Sequence, residues 1–309
     1  RANPRRERED RPCQTSNLQV EEGQMLIVPL VASLVSFVFS LLLLRQYTSR
    51  HRPYQLVWSV ALLMFSLAAL AETLATPFSP ADPAHWNEIY VKIYYIFGGT
   101  LVVGYLALGT LYLSDERSGA YLLGFSALLT FALWLPVHGP QMLTGEEAAS
   151  GIIISGVYTA VIAVVLALRR ATPKIYLGAL IIITVAAAAL VIPAAVDPSL
   201  LVTTKGWEAL ERTRTIRSMA FSLNVLGTFV LVFGALQSAW VVWRRKMMPE
   251  RAIANALIAV GVIIVAGGGT VGGLFGLGGQ AAISAPMAVG ILVMFLGFLR
   301  AGKQPVKKA

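Results

Sequence analysis

The chain is 309 residues long, with 56% apolar residues, only 13% charged ones and a mean hydropathy of +0.69. That balance excludes a water-soluble fold, because too few polar groups exist to clothe so much apolar surface. The net charge of +9 would suggest nucleic acid in a soluble protein, but here basic loops beside membrane segments account for it.

In chain order, the head at 1–22 has the polarity of a disordered segment. It carries the single cysteine, Cys13, so an internal disulfide and a cysteine-based metal cluster are both excluded. Continuous apolar runs then lie near 24–44, 55–75, 90–113, 119–138, 151–168, 175–196, 218–243, 252–271 and 281–299. A helix needs about 20 apolar residues to cross a hydrocarbon core of about 30 Å. Lipid offers the backbone no hydrogen-bond partners, and unbroken rather than alternating apolarity selects helices over a barrel. The expected fold is all-α: a polytopic transmembrane helix bundle of about nine spans. It forms a single membrane domain at 23–300, followed by a short basic tail at 301–309. Glycines crowd the outer end of the eighth run, so eight spans with 252–299 partly re-entrant is the structural alternative. The long loop at 197–217 reads as holding a surface helix, with Glu208 and Arg212 four apart.

Loop charges predict the orientation. With the amino terminus outside, inner loops and tail carry 15 cations against Asp115, Glu116 and Glu250, and the outer side holds the other 13 of the 16 acids. Clusters touching span ends carry most weight: Arg169-Arg170, Arg244-Arg245-Lys246 and Lys307-Lys308. The arginine-rich head opposes this, but its own acids offset it and it is remote from the first span. The expectation is amino terminus out, carboxyl terminus in.

A weak internal repeat aligns GTLVVGYLALGTLY at 99–112 with GTFVLVFGALQSAW at 227–240. Spans 1–4 would then be duplicated as spans 5–8 in the same orientation, with one helix added, a 4+4 parallel plan met among transporters.

Ionisable groups at the bilayer midplane would mark ion coupling or a proton relay, and none is placed there. Glu72 and Lys92 sit near the outer ends of the second and third runs, where pairing across the short connection would staple two helices. Aromatics surround them and ordinarily make an interface belt at that depth. The functional reading is an outward-facing pocket whose carboxylate and ammonium orient a ligand or partner: Glu72, Trp86, Glu88, Tyr90, Lys92 and Tyr94.

Of the histidines, His51 lies on the inner side, and His85 and His138 on the outer, none at mid-helix as haem ligation requires. No lysine lies in the seventh to ninth runs to bind retinal. No metal and no cofactor is expected. GGGTVGGLFGLGG at 267–279 contains a GxGxxG string, but it does not follow the strand of a βαβ unit. Its glycines, Gly267, Gly268, Gly269, Gly272 and Gly273, read as close helix packing or as a helix break lining a polar cavity. Ser126, Thr130, Asn224 and Gln237 read as hydrogen-bond partners between helices.

The stretches NVLGTFVLVFGALQSAWVVWRR, GGTLVVGYLALGTLYL and GILVMFLGFL resemble a set of uncharacterised multi-pass membrane proteins of Gram-positive and filamentous bacteria. The resemblance covers most of the membrane part and implies the bacterial plasma membrane, but no established activity. Residues 44–113 are similar to the multi-span sensor modules that precede bacterial histidine kinases, without their cytoplasmic output domain.

The expected function is a non-enzymatic binding, sensing or accessory subunit. Its partners would be the lipid bilayer and other membrane subunits, with no nucleic acid. The alternative is a secondary transporter for an apolar or neutral solute, without proton coupling through a buried acid.

Overall fold

A computed structural model describes residues 11–75, 87–142, 172–197, 210, 214–244, 253–254, 256–265 and 279–302. The elements among them are all helical. They are α1 (Arg11–Arg50), α2 (Pro53–Ala75), α3 (Glu88–Tyr94), a π-helical segment (Tyr95–Leu101), α4 (Val102–Leu113), α5 (Glu116–Met142), α6 (Thr172–Val191), α7 (Arg214–Arg244), α8 (Ala256–Val265) and α9 (Gly279–Gly302).

Five stretches are long and apolar enough to cross a membrane: Ile27–Arg50, Pro53–Leu74, Glu88–Leu113, Thr172–Val191 and Met219–Val241. They coincide with the first, second, third, sixth and seventh apolar runs. Helices α5 and α9 coincide with the fourth and ninth, and α8 with the first half of the eighth. The fifth run at 151–168, the glycine string and most of the 197–217 loop lie outside the described residues. Large aliphatic side chains face outward from the bundle, with Ile182 71% and Val185 65% exposed, which suits hydrocarbon and not water.

Helix α1 begins at Arg11, within the head. Propagation adds one hydrogen bond for each residue fixed once a helix exists. Pro12 falls in the first turn, where its missing N–H costs nothing.

Helices α1 and α2 form an antiparallel hairpin. His51 ends α1 with φ 49°, the left-handed conformation of a helix stop, while its N–H still reaches the Tyr47 carbonyl at 2.8 Å. Pro53 then opens α2, at the position where proline is tolerated. The two helices are held by serines seven residues apart on each. The Ser33 and Ser66 hydroxyls lie 3.2 Å apart and those of Ser40 and Ser59 3.1 Å apart, and Ser33 and Ser40 also donate to the facing Ser66 and Ser59 carbonyls. Small hydroxyls let the backbones approach and supply partners that lipid cannot.

The third span is central, packing on α2, α6 and α7. It runs antiparallel to α2, with Trp58 against Gly109 and Ala68 against Gly98. It also runs antiparallel to α6, with Leu180 at Gly104 and the Lys92 ammonium at the Ile192 carbonyl. Against α7 it runs parallel. Gly227 sits on the Val103 backbone and Gly234 on Thr110, the same seven-residue step along both helices. Helix α5 is antiparallel to α7, with Leu122 at Gly234 and Phe125 at Phe233. Helix α9 is parallel to α1: Phe39 meets Phe295 and Phe298, and Ala32 clusters with Ala288. Helix α8 is antiparallel to α9 through Gly261 on Gly290 and Gly297 on the Ala254 carbonyl.

These directions bring the ends of α1, α4, α7 and α9 level with the starts of α2, α5, α6 and α8. Arg45, Arg50, Arg52, Arg117, Lys174, Arg244 and Arg300 gather at that end, among the described residues, with Asp115 and Glu116. It is called the cationic end below.

Candidate functional site

A cavity of about 410 Å³ occupies the half of the bundle nearest the cationic end. Its wall is largely apolar: Phe39 and Leu43 of α1, Leu62 of α2, Leu231 of α7, and Met294 and Phe298 of α9 contribute. The cavity reaches the α4–α5 turn at Ser114 and Asp115. Towards the opposite end Leu101, Leu180, Val191 and Ile216 are buried, at most 1% exposed.

Three features shape the cavity. Trp58 fits against the third span because Gly109 has no side chain, and its indole N–H donates to the Leu106 carbonyl at 3.0 Å. Gly234 leaves room for the Thr110 methyl, where a Cβ would meet it at 2.3 Å. Ala235 is the smallest remaining side chain of the α7 wall. Small residues on α4 and α7 thus hold those helices together while leaving unfilled volume beside them.

The polar groups of the lining are few. Thr110 and Ser114 direct their hydroxyls to carbonyls one turn back on their own helix, at 3.3 and 3.1 Å. The Asp115 carboxylate accepts from the Ser118 N–H at 3.4 Å, as a cap on α5. Hydrogen bonding from the Ser118 side chain, then from the Ser118 and Asp115 backbone amides, outweighs slight desolvation, and the nearby Arg117 charge adds to it. Together they hold this carboxyl below its ordinary range. Gln237 is half-buried on the cavity wall and offers an amide with both donor and acceptor. The chamber is thus largely apolar, with a handful of polar groups at one end.

Above the cavity the third span changes winding. Residues Tyr95–Leu101 form a π-helix that spans Gly98 and Gly99. Two of its carbonyls are met by side chains: the Thr100 hydroxyl donates to Tyr95 at 3.1 Å, and the Asn224 amide of α7 donates to Gly99. π-helical turns are rare and often sit at functional positions.

The residues singled out from sequence have mixed placements. Glu72 is buried near the carboxyl end of α2, and Tyr94 is half-buried at the end of α3. Lys92 forms its ion pair with Glu88 at 2.6 Å, one turn away on its own helix, and donates to the Ile192 carbonyl at 2.6 Å. It therefore ties α3 to the end of α6. Tyr90 packs against the small core around Val91, Tyr95, Val191 and Ile216. Trp86 and Gly267, Gly268, Gly269, Gly272 and Gly273 lie outside the described residues. Of the polar residues expected to join helices, Asn224 does so. Thr130 instead bonds the Ser126 carbonyl of its own helix at 2.8 Å, and Gln237 lines the cavity. Trp58, Gly109 and the serine pairs were not anticipated. A small residue opposite a large one becomes visible only when the neighbouring helix is known.

No protein-family model, no curated protein and no solved structure matches this chain.

Proposed function

We propose that the chain is a non-enzymatic, multi-pass binding subunit of a bacterial plasma membrane, taking an apolar or amphipathic small molecule into the cavity beside Trp58. The observation that carries this is a 410 Å³ chamber, walled by apolar side chains, that reaches the cationic end. Chambers of this size suit small ligands, with the apolar wall giving affinity and a few polar groups orientation. The cationic end is read as cytoplasmic, since Lys and Arg beside span ends are retained there. Nine spans with the amino terminus outside remain the proposed topology. Helices α5 and α6 both start at the cationic end, as one further crossing between them requires.

The test is quenching of Trp58 by a brominated dodecanol, with the full chain in nanodiscs. Saturable quenching that disappears in Trp58→Phe and weakens at least fivefold in Ala235→Leu supports the reading. Unsaturable quenching that Ala235→Leu leaves unchanged, as simple partition into lipid gives, refutes it.

A second reading, secondary transport of an apolar or neutral solute, is favoured by two observations. The cavity reaches the cationic end, as in a carrier caught open to one side. The segments 99–112 and 227–240 pack in parallel, the relation expected at the contact between parallel repeats. Gradient-driven uptake into proteoliposomes distinguishes the two readings, since a binding subunit shows none.

A further inference from the structure

We infer that the ligand of this cavity is an anionic amphiphile, its alkyl chain held in the chamber and its acidic head at the cationic end; this rests on the binding role proposed above. The argument starts from where the wall stops. On four elements a cation follows the last lining residue within one helical turn: Arg45 after Leu43, Arg117 after Asp115, Arg244 after Val241 and Arg300 after Phe298. All four are exposed. Such cations also set orientation, and by themselves would mark no site. Here an apolar chamber ends at their level, so a chain drawn into it carries its head to the same depth.

The lining has one charged group, Asp115, which could instead select a cation. Its carboxylate is committed to the Ser118 amide, and Arg117 stands two residues on. Against Asp115 and the neighbouring Glu116 stand Arg45, Arg117, Arg244 and Arg300, so the net charge around the mouth is positive. The Gln237 amide, with Ser238 one residue on, adds neutral donors below the rim. A phosphodiester of a membrane lipid and the carboxylate of a free alkyl acid share this chemistry.

The experiment uses three brominated twelve-carbon probes that differ only in the head: carboxylate, hydroxyl and trimethylammonium. Each is titrated in phosphatidylcholine nanodiscs at low salt, and the Trp58 signal is read as the difference in tryptophan fluorescence between the full chain and its Trp58→Phe variant. The carboxylate is expected to bind about tenfold more tightly than the alcohol, the scale set by one or two cations within a Debye length. The ratio should fall towards one at high salt and in the Arg244→Gln/Arg300→Gln protein. The ammonium should bind most weakly. Saturable binding of the alcohol with no preference for the carboxylate overturns this inference and leaves the cavity reading intact. Tightest binding of the ammonium does the same. Failure of all three probes to bind saturably overturns both. Mass spectrometry of amphiphiles retained from the native membrane separates the sources. Enrichment of an anionic phospholipid or of a free alkyl acid supports the inference and names which, and enrichment of zwitterionic or neutral lipids alone overturns it.

Discussion

The indole of Trp58 lies over Gly109 so closely that a Cβ on the glycine would sit 2.1 Å from the ring. This contact fixes both the wall of the cavity and the packing of α2 on the third span. Gly109→Ala must push the ring away and strain its hydrogen bond to the Leu106 carbonyl. The expected loss is about 1–3 kcal/mol, the usual range for overpacking, with a shift in tryptophan emission. Gly178→Ala on α6 is the control, because a Cβ there meets nothing within 4 Å. That change should be neutral or stabilise by up to about 1 kcal/mol through helix propensity. Equal effects at the two positions in thermal unfolding would contradict the packing described.

The α1–α2 hairpin makes a second prediction. A double-mutant cycle of Ser40→Ala and Ser59→Ala should show a coupling of about 0.6 kcal/mol, typical of hydrogen bonds between membrane helices. Ser36 is fully buried in α1, with no hydrogen-bond partner among the described residues. Ser36→Ala should therefore be neutral or slightly stabilising. A larger loss at Ser36 than at Ser40 would show that the register of the hairpin is different.

Asn224→Leu tests the π-helical segment. It leaves the Gly99 carbonyl without its donor, at an expected cost of about 1–3 kcal/mol. Hydrogen exchange of the amides of residues 95–101 should accelerate more than that of α4. Unchanged exchange there, with a global loss of stability, would place the role of Asn224 elsewhere.

Asp115 predicts an acid dependence. Its folded-state pKa is depressed by its bonds to Ser118, so its stabilisation is fully present above the ordinary carboxylate value of about 3.9. It is lost as pH falls through the lower, folded value. Asp115→Ala should cost about 1 kcal/mol at pH 7 as a lost cap. The gap between the two proteins should persist at pH 5 and narrow below about pH 4. Denaturation curves at pH 7, 5 and 3 check this, and a gap that widens in acid would reverse the sign assigned.

At the opposite end, Lys92 has two partners and Glu88 has a side chain 55% exposed. Glu88→Gln should cost no more than about 0.5 kcal/mol, as for a surface pair one turn apart. Lys92→Met should cost more, about 1–2 kcal/mol, because the Ile192 carbonyl also loses its donor. Equal losses in the two variants would mean that the link to α6 contributes nothing.

Sequence by itself determined that the chain is a helical membrane protein, where most of its helices lie, and that Arg50, Arg117, Arg244 and Arg300 share one end. Those properties are local: the length of an apolar run and the placement of cations beside it can be read without knowing any neighbour. Tertiary structure alone decided that α7 lies parallel to the third span, that Lys92 turns to Glu88 and Ile192, and that Trp58, Thr110, Gly234 and Gln237 meet around one chamber. In a bilayer, lipid is as apolar as leucine, so hydrophobicity does not choose which helices touch. The choice falls to the fit of small residues such as Gly109 and Gly227 against particular partners, and that fit has no periodic trace in the chain.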